Sequence, residues 1–579
     1  MERQGIDLYL QPNADPHMSE YQPEHWKCIA WATGFTGEAA TFVLTQQEAF
    51  VWTDSRFFVQ ATHQLAGTGV GLMRAGLPET PTIGQYIARC RPQCIGYDGR
   101  LVSVRDAERY FGEAAAAGCT TQKSDVDLTE RLWEDRPALP HGRMEIYSEA
   151  YAGEATRPRL DRISAALQGQ GDALLLTRLD DVAWAFNLRG TDIHCTPVCT
   201  AFALIGKGGD VVCIDRKQQD DEAIRALAQA GVRVADYTDI YAEIRRRTEA
   251  GLRIVANVED LSVDLRRGLP DEHWTPTGNP IPVFRSVKNE TEMAGYRSAM
   301  VKDGVALTRF YRRLEQYLRE GKTVTELDCV DWLIEFRREQ ALYREESFDA
   351  IVAWGGHAAM PHYFSTPESN VAIEGDGLLL IDTGGQYQDG TTDITRTVAI
   401  GTPTSEMCAD YTRVLKGHIR LAQACFPEGT RGDQLDALAR MDLWQCGKTY
   451  RHGTSHGVGH CLCVHEGPES VRMEHNPQVL LQDMVLSNEP AVYLEGAYGI
   501  RHENCVAVRP FMETADGRFY RLETLTLFPI DTTPIVRTML TADELQWLND
   551  YHQTVYQQLA PHLNEEEKAW LRMKTAPIA

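Results

Sequence analysis

Two stretches in the back half of the chain share one layout: a strand running into an acid, a turn, and a second strand leaving from another acid. The first reads Gly377-Leu-Leu-Leu-Ile-Asp382, then Gly384-Gly-Gln-Tyr-Gln-Asp-Gly390, then Thr391-Thr-Asp393-Ile-Thr-Arg-Thr-Val-Ala. The apolar and β-branched runs read as strands and the glycine-rich middle as turn chemistry, so the pattern predicts a hairpin that sets Asp382 beside Asp393. The second runs Met484-Val-Leu-Ser-Asn-Glu489, Leu494-Glu-Gly-Ala-Tyr-Gly499 and Ile500-Arg-His-Glu503-Asn-Cys-Val, and predicts the same for Glu489 and Glu503. Four carboxylates gathered without cations repel one another and take up protons. Two divalent ions remove that penalty, so the pattern points to a domain whose antiparallel hairpins present a metal site.

A fifth donor lies between the hairpins, in His452-Gly-Thr-Ser-His456-Gly-Val-Gly-His460, followed by Val464-His465-Glu-Gly-Pro468. The histidines at 452, 456 and 460 have helical spacing, but Gly453, Gly457 and Gly459 argue for a loop instead. The sequence has no HExxH, which excludes the mononuclear zinc-peptidase pattern. Asp382, Asp393, His456, Glu489 and Glu503 together suit two ions about 3.5–4 Å apart, as in two-metal hydrolases. One imidazole among four carboxylates favours harder ions, manganese ahead of zinc or cobalt.

Composition narrows the partners. The formal charge of −24 disfavours nucleic acid and anionic lipid surfaces. No apolar window reaches the roughly 18 residues that a membrane span needs. The opening Met1-Glu-Arg-Gln-Gly5 lacks the basic start and apolar stretch of a signal peptide, so a cytoplasmic location is expected. The 14 cysteines are scattered, and Cys461 and Cys463 alternate instead of forming CxxC, which reads as buried reduced thiols.

At 579 residues the chain exceeds a single core. Proline-dense stretches at Trp133-Glu-Asp-Arg-Pro-Ala-Leu-Pro140 and Thr275-Pro-Thr-Gly-Asn-Pro-Ile-Pro282 read as linkers. They divide it into three domains, 1–138, 139–283 and 284–579. The first two mix short strands with helical stretches, an α/β pattern, as in Ala49-Phe-Val-Trp52 followed by the helical run to Ala61. They also resemble copies of each other: Cys94-Ile-Gly-Tyr97 leads to Ser103-Val104, as Arg253-Ile-Val-Ala256 leads to Ser262-Val263. The third is predicted α+β and opens with Ser286-Val-Lys-Asn-Glu-Thr-Glu, a capping sequence before a long amphipathic helix through Leu318.

The stretches IDTGGQYQDGTTDITRT, HGTSHGVGHCLCVHEGP and EPAVYLEGAYGIRHEN resemble the aminopeptidase P (Xaa-Pro aminopeptidase) family of pita-bread metallopeptidases. FVWTDSRFFVQA and LDDVAWAFNLRG are similar to the first and second domains of its long, three-domain form. The resemblance implies creatinase/prolidase-like amino-terminal domains, a pita-bread catalytic domain with a carboxy-terminal extension, and removal of the first residue from peptides with proline second. It further implies that Asp382 chelates one metal, that Asp393 and Glu503 bridge both, and that His456 with Glu489 completes the other. A hydroxide bridging the two ions would attack the carbonyl before proline, with Glu489 taking its proton. His362, in Met360-Pro-His-Tyr363, matches an early active-site histidine, while His452 and His465 match substrate-side ones; His362 and His465 would stabilise the oxyanion or shuttle protons. Arg501 matches an arginine that supports the metal-binding strand and borders the substrate. Relatives of this kind suggest a homodimer.

Three positions depart from the family's pattern: His460 replaces a small residue, His502 an isoleucine and Ala491 a glycine. Strand alternation predicts that His502 points away from the metals carried beside Glu503. The rival readings are prolidase, which cleaves only Xaa-Pro dipeptides; creatinase, which lacks the metal set; and a non-catalytic binding module of the same fold. The third domain favours longer peptides over dipeptides, and the complete ligand set disfavours the other two.

Overall fold

The computed structural model describes residues 1–116, 118, 121–215, 217–218 and 220–578. Two compact units divide at Pro282 and Val283.

The first unit contains two six-stranded sheets of one design. One orders its strands Gly71–Arg74, Ala49–Thr53, Ala40–Thr45, Leu8–Pro12, Cys94–Tyr97 and Thr121–Lys123. The other runs Arg233–Ala235, Val211–Ile214, Ala201–Gly206, Ala173–Leu176, Ile254–Val255 and Trp274–Thr275. Successive pairs in both are parallel, antiparallel, antiparallel, parallel, parallel. The faint sequence repeat therefore marks a structural one. Its two copies of Ser-Val meet: Ser103 bridges Ser262, Val104 N–H donates to Leu261 O at 2.9 Å, and Val263 N–H to Val102 O at 2.9 Å. Proline fits the second stretch only in part as a linker, because Trp274–Thr275 is an edge strand and Ile281–Ser286 is already helical.

The second unit opens on helix α1, Glu290–Arg319. Its cap is Asn289, whose side chain accepts the Glu292 N–H while the Glu292 carboxylate accepts the Asn289 N–H, with Glu290 and Glu292 facing the positive end of the helix. Met293, Tyr296, Met300, Leu307, Phe310 and Leu314 recur at three-, four- and seven-residue spacing and are buried. They share a core with Cys329, Leu333 and Phe336 of α2 (Glu326–Arg338) and with Leu378, Leu379 and Ile381. Each such side chain contributes about 1.5–3 kcal/mol on burial.

Strands β1 (Ile351–Trp354), β2 (Gly377–Thr383) and β3 (Ile394–Ile400) form one antiparallel sheet, with Asp382 opposite Thr395. A six-stranded antiparallel sheet contains β4 (Ser455–Gly457), β5 (Glu466–Val471), β6 (Val485–Asn488), β9 (Asn504–Thr514) and β10 (Gly517–Thr524), edged by Cys425–Pro427. Between β6 and β9, β7 (Ala491–Leu494) and β8 (Tyr498–Arg501) pair as a separate two-stranded ribbon.

Both expected hairpins form, each with an added feature. The link between Asp382 and Asp393 is itself paired, Gly385–Tyr387 with Gly390–Thr391. The second hairpin divides at Pro490, which has no N–H to donate: β6 pairs with β9 and β7 with β8. Among the described residues no cysteine is bridged and most are buried. None of the described helices is long and apolar enough to cross a membrane.

Candidate metal centre

The acids converge because of this strand pairing. Asn488 pairs with Asn504, which sets Glu489 and Glu503 at facing strand ends, and Glu503 N–H donates to Thr395 O at 3.1 Å, which lays that strand against β3 two residues past Asp393. His456 enters from β4, whose Gly457 pairs with Leu486 of β6. Ligating atoms of Asp393, His456 and Glu503 all lie within 4.8 Å of one another. His456 Nε2 is 3.5 Å from Asp393 Oδ2 and 3.3 Å from Glu489 Oε1. Asp382 joins through Arg501, whose guanidinium donates to its Oδ2. All five expected ligands are thus in one cluster.

The electrostatics are those of a site built for cations. Burial pushes the Asp393 carboxyl well above the usual range, and Asp382 and Glu489 push it further. Burial does the same to Glu503, reinforced by Asp393, Asp382 and Glu489. Glu489 is pushed up to about 7 by burial, with Arg501 opposing and Asp382 adding to the shift. His456 Nδ1 lies 2.8 Å from Gly457 O. A carbonyl only accepts, so Nδ1 carries the hydrogen and Nε2 turns a lone pair to the acids. Asp382 Oδ1 is buried with no hydrogen-bond partner. Divalent ions would satisfy that oxygen, separate the facing lone pairs and offset the carboxylates, so the residues fit a dinuclear metal group.

Supporting side chains come from the same strand faces. Thr395 Oγ1 donates to Glu503 Oε2 at 2.7 Å, and Ser487 Oγ donates to Glu489 Oε1 at 3.1 Å while accepting His456 N–H at 3.0 Å. Arg501 Nε donates to Thr395 Oγ1 at 3.0 Å and Nη1 to Tyr493 Oη at 2.6 Å. Arg501 is buried, and these contacts turn its guanidinium onto protein groups. Sequence reading missed Thr395, Ser487 and Tyr493. The signal for the first two was present: each stands two residues from a ligand, on the same side of its strand.

The histidines separate by surroundings. His465 lies edge-on to His456, ring centroids 4.5 Å apart, close enough to ease the ionisation of Asp393 and Glu489. His452 Nδ1–H donates to Gly453 O at 2.7 Å, and its Nε2 accepts from Tyr493 Oη at 2.9 Å. Burial holds it well below the usual imidazole range, helped by Arg501 and by nearby His362. His362 is half-buried on the loop after β1. His460 is remote from this chemistry: its Nε2–H donates to Asp389 O at 3.1 Å, and the ring packs edge-on against Tyr296. His502 points away from the acids as alternation predicts, fully buried, its ring edge-on to Tyr411 at 4.4 Å and both nitrogens without a hydrogen bond.

Comparison with known proteins agrees with this geometry. Residues 294–510 match the model of metallopeptidase family M24, 135–292 the creatinase/prolidase N-terminal domain, and 518–578 the C-terminal region of peptidase M24. A probable Xaa-Pro aminopeptidase P of Coprinopsis cinerea is 36% identical over all of this chain and 97% of its own length. The crystal structure of X-prolyl aminopeptidase from Caenorhabditis elegans, described as a cytosolic enzyme with a di-nuclear active site, superposes with a TM-score of 0.95 at 34% identity, covering 99% of this chain and 95% of that one. An Xaa-Pro dipeptidase from Bacillus anthracis reaches a TM-score of 0.51 at 24% identity and covers 65% of this chain and 99% of that one, a likeness of fold.

Proposed function

This chain belongs to the Xaa-Pro aminopeptidases of metallopeptidase family M24, and from that membership we propose that it removes the amino-terminal residue from peptides with proline in second position, using two divalent metal ions. The observation that carries the reading is the meeting of Asp393, His456 and Glu503 within 4.8 Å, flanked by Asp382 and Glu489, in a chain aligned end to end with such enzymes. Prolidase is the weaker alternative, because the relatives alike over the full chain at 34–36% identity are named Xaa-Pro aminopeptidases.

Asp382 would hold one ion, His456 and Glu489 the other, and Asp393 and Glu503 both. Bound there, two ions polarise a carbonyl and lower the pKa of water, with manganese favoured by the oxygen-rich donor set. Glu489 would accept the proton of the attacking water and pass it toward the departing prolyl nitrogen. His465, beside His456, would donate to the developing oxyanion, with His362, near His452, assisting. His452, both of whose ring nitrogens are engaged by protein groups, would orient Tyr493 and Arg501 and leave proton transfer to others. Arg501 would neutralise Asp382, not contact the peptide. Proline's tertiary amide has no N–H, so recognition rests on the ring's rigid shape.

We further assign a cytoplasmic location, a homodimer, and a division into 1–138, 139–283 and 284–579. The test is a peptide panel with metal analysis on one manganese-loaded sample. Release of arginine from an Arg-Pro-Pro peptide, two ions per chain and loss of both in Asp393→Asn are expected. Hydrolysis of Xaa-Pro dipeptides alone would select prolidase, and no release from any Xaa-Pro peptide would end the enzyme reading.

A further inference from the structure

The loop from Trp354 to Tyr363 carries His362 to the site, and one buried carboxylate holds it at three points. Glu326, the first residue of α2, is fully buried. Its Oε1 accepts Trp354 N–H at 2.8 Å and His357 Nδ1–H at 2.9 Å, and its Oε2 accepts Tyr363 O–H at 2.9 Å. These donors come from the beginning, middle and end of the loop. The His357 ring stacks on Tyr363, centroids 4.4 Å apart, which closes the loop on itself. An ionised carboxylate out of water is costly unless several donors meet it, so the loop is most stable in the one arrangement that delivers all three.

The loop's other side is equally constrained. A Cβ on Gly499 would fall 1.7 Å from Ala358 O, and one on Gly356 would lie 3.2 Å from Gly496 O. The loop backbone therefore rests directly on the β7–β8 ribbon, whose last residue is Arg501. His362 adjoins the anchored Tyr363, near enough to His452 to disfavour its protonation.

We propose that Glu326 is a positioning residue for the reaction, fixing the Trp354–Tyr363 loop and thereby the place of His362 beside His452. The inference rests on the aminopeptidase reading. Glu326 itself is sealed behind the loop, so its influence on catalysis passes through His362. Misplacing a reacting group by about 1 Å costs on the order of a hundredfold in rate.

The experiment compares Glu326→Gln, Tyr363→Phe, His362→Ala and the doubles with His362→Ala, as metal-loaded full chains. Metal content and kcat and KM on an Xaa-Pro-Pro peptide are read for each, and the reactivity of His362 toward diethyl pyrocarbonate for the chains that keep His362. Expected for Glu326→Gln are undiminished metal content, kcat lowered at least about tenfold with a smaller change in KM, and faster modification of His362. Tyr363→Phe, which deletes one hydroxyl, moves the same readouts in the same direction and serves if Glu326→Gln does not fold. In the His362→Ala background neither substitution lowers kcat further. Unchanged kcat with unchanged His362 reactivity overturns the proposal, as does an equal loss with and without His362. A wild-type chain inactive on Xaa-Pro peptides would overturn the functional reading instead, and the His362 reactivity would still decide this one.

Discussion

Stripping the metals should leave protons behind, and the number follows from the site. Four carboxylates face one guanidinium, Arg501. Burial and the neighbouring carboxylates hold Asp393 and Glu503 well above the usual carboxylate range, which favours their protonated forms where no cation is bound. Glu489, with its carboxyl at about 7, is about nine-tenths protonated at pH 6 and about one-tenth at pH 8. Metal loading must displace these protons. Glu489 alone makes the count released about 0.8 smaller at pH 8 than at pH 6.

Stability carries the same information with a definite sign. Glu489 has a folded pKa raised above its unfolded value, so in the stripped protein its contribution is fully present below about pH 4.5 and is lost as pH rises through about 7. A carboxyl raised from 4.5 to about 7 corresponds to roughly 3 kcal/mol at most. Cations replace the proton in the loaded protein, so the gap in melting temperature between loaded and stripped forms should widen from pH 5 to pH 7. Calorimetric manganese titration in buffers of different ionisation enthalpy counts the protons, and Glu489→Gln identifies the pH-dependent share. Metal binding at pH 6 without proton release, or a gap that narrows as pH rises, would refute the picture of desolvated, mutually repelling acids.

Three further substitutions test the surroundings. Tyr493→Phe leaves an Arg501 donor and His452 Nε2 unpartnered and should weaken metal retention about 10–100-fold, read by competition with a chelator. Gly499→Ala places a methyl 1.7 Å from Ala358 O, so backbone must move; a loss of about 1–3 kcal/mol in the second unit's unfolding and a fall in kcat should appear together. His502→Ile removes two buried nitrogens that make no hydrogen bond, so unfolding free energy should hold or rise by about 1–3 kcal/mol with metal stoichiometry unchanged. A changed stoichiometry would mean that His502 faces the metals after all.

What could be read from the residues alone follows their physics. Asp382, Asp393, Glu489 and Glu503 were legible because each stands at a strand end next to turn chemistry, where local pattern dictates geometry. The long helix was legible for the same reason, its cap and its apolar spacing both being local. Pro490 was visible, yet its effect was not, because splitting a hairpin between two sheets depends on partners contributed by β9 and β8. Tyr493 and Glu326 carried no signal. Tyr493 matters through His452 and Arg501, 41 and 8 residues away, and Glu326 through a loop about 30 residues on. Tautomers were out of reach as well, since the state of His452 or His456 is set by which carbonyl its Nδ1 meets.

Alternation explains why one pair of strands can gather so much charge on one side. At the start of β3, Asp393 and Thr395 face the metal cluster and Arg396 faces away; in the extended run from the end of β8 to the start of β9, Arg501 and Glu503 face it while His502 and Asn504 do not. Arg396 is buried, and its hydrogen bonds run to Thr395 O, Glu503 O, Phe528 O, Pro529 O, Asn504 Oδ1 and Tyr551 Oη, all of them neutral groups. It ties the strand of Glu503 to the strand of Asp393 by their backbones. Around it the histidines stay neutral: burial and the Arg396 charge push His418 down to about 3 and His552 to about 4. Two arginines thus divide the work. Arg501 meets the acids with opposite charge, whereas Arg396 fixes their spacing from behind, so Arg396→Met should loosen the whole acidic cluster, while loss of Arg501 should act first through Asp382, whose carboxylate it holds.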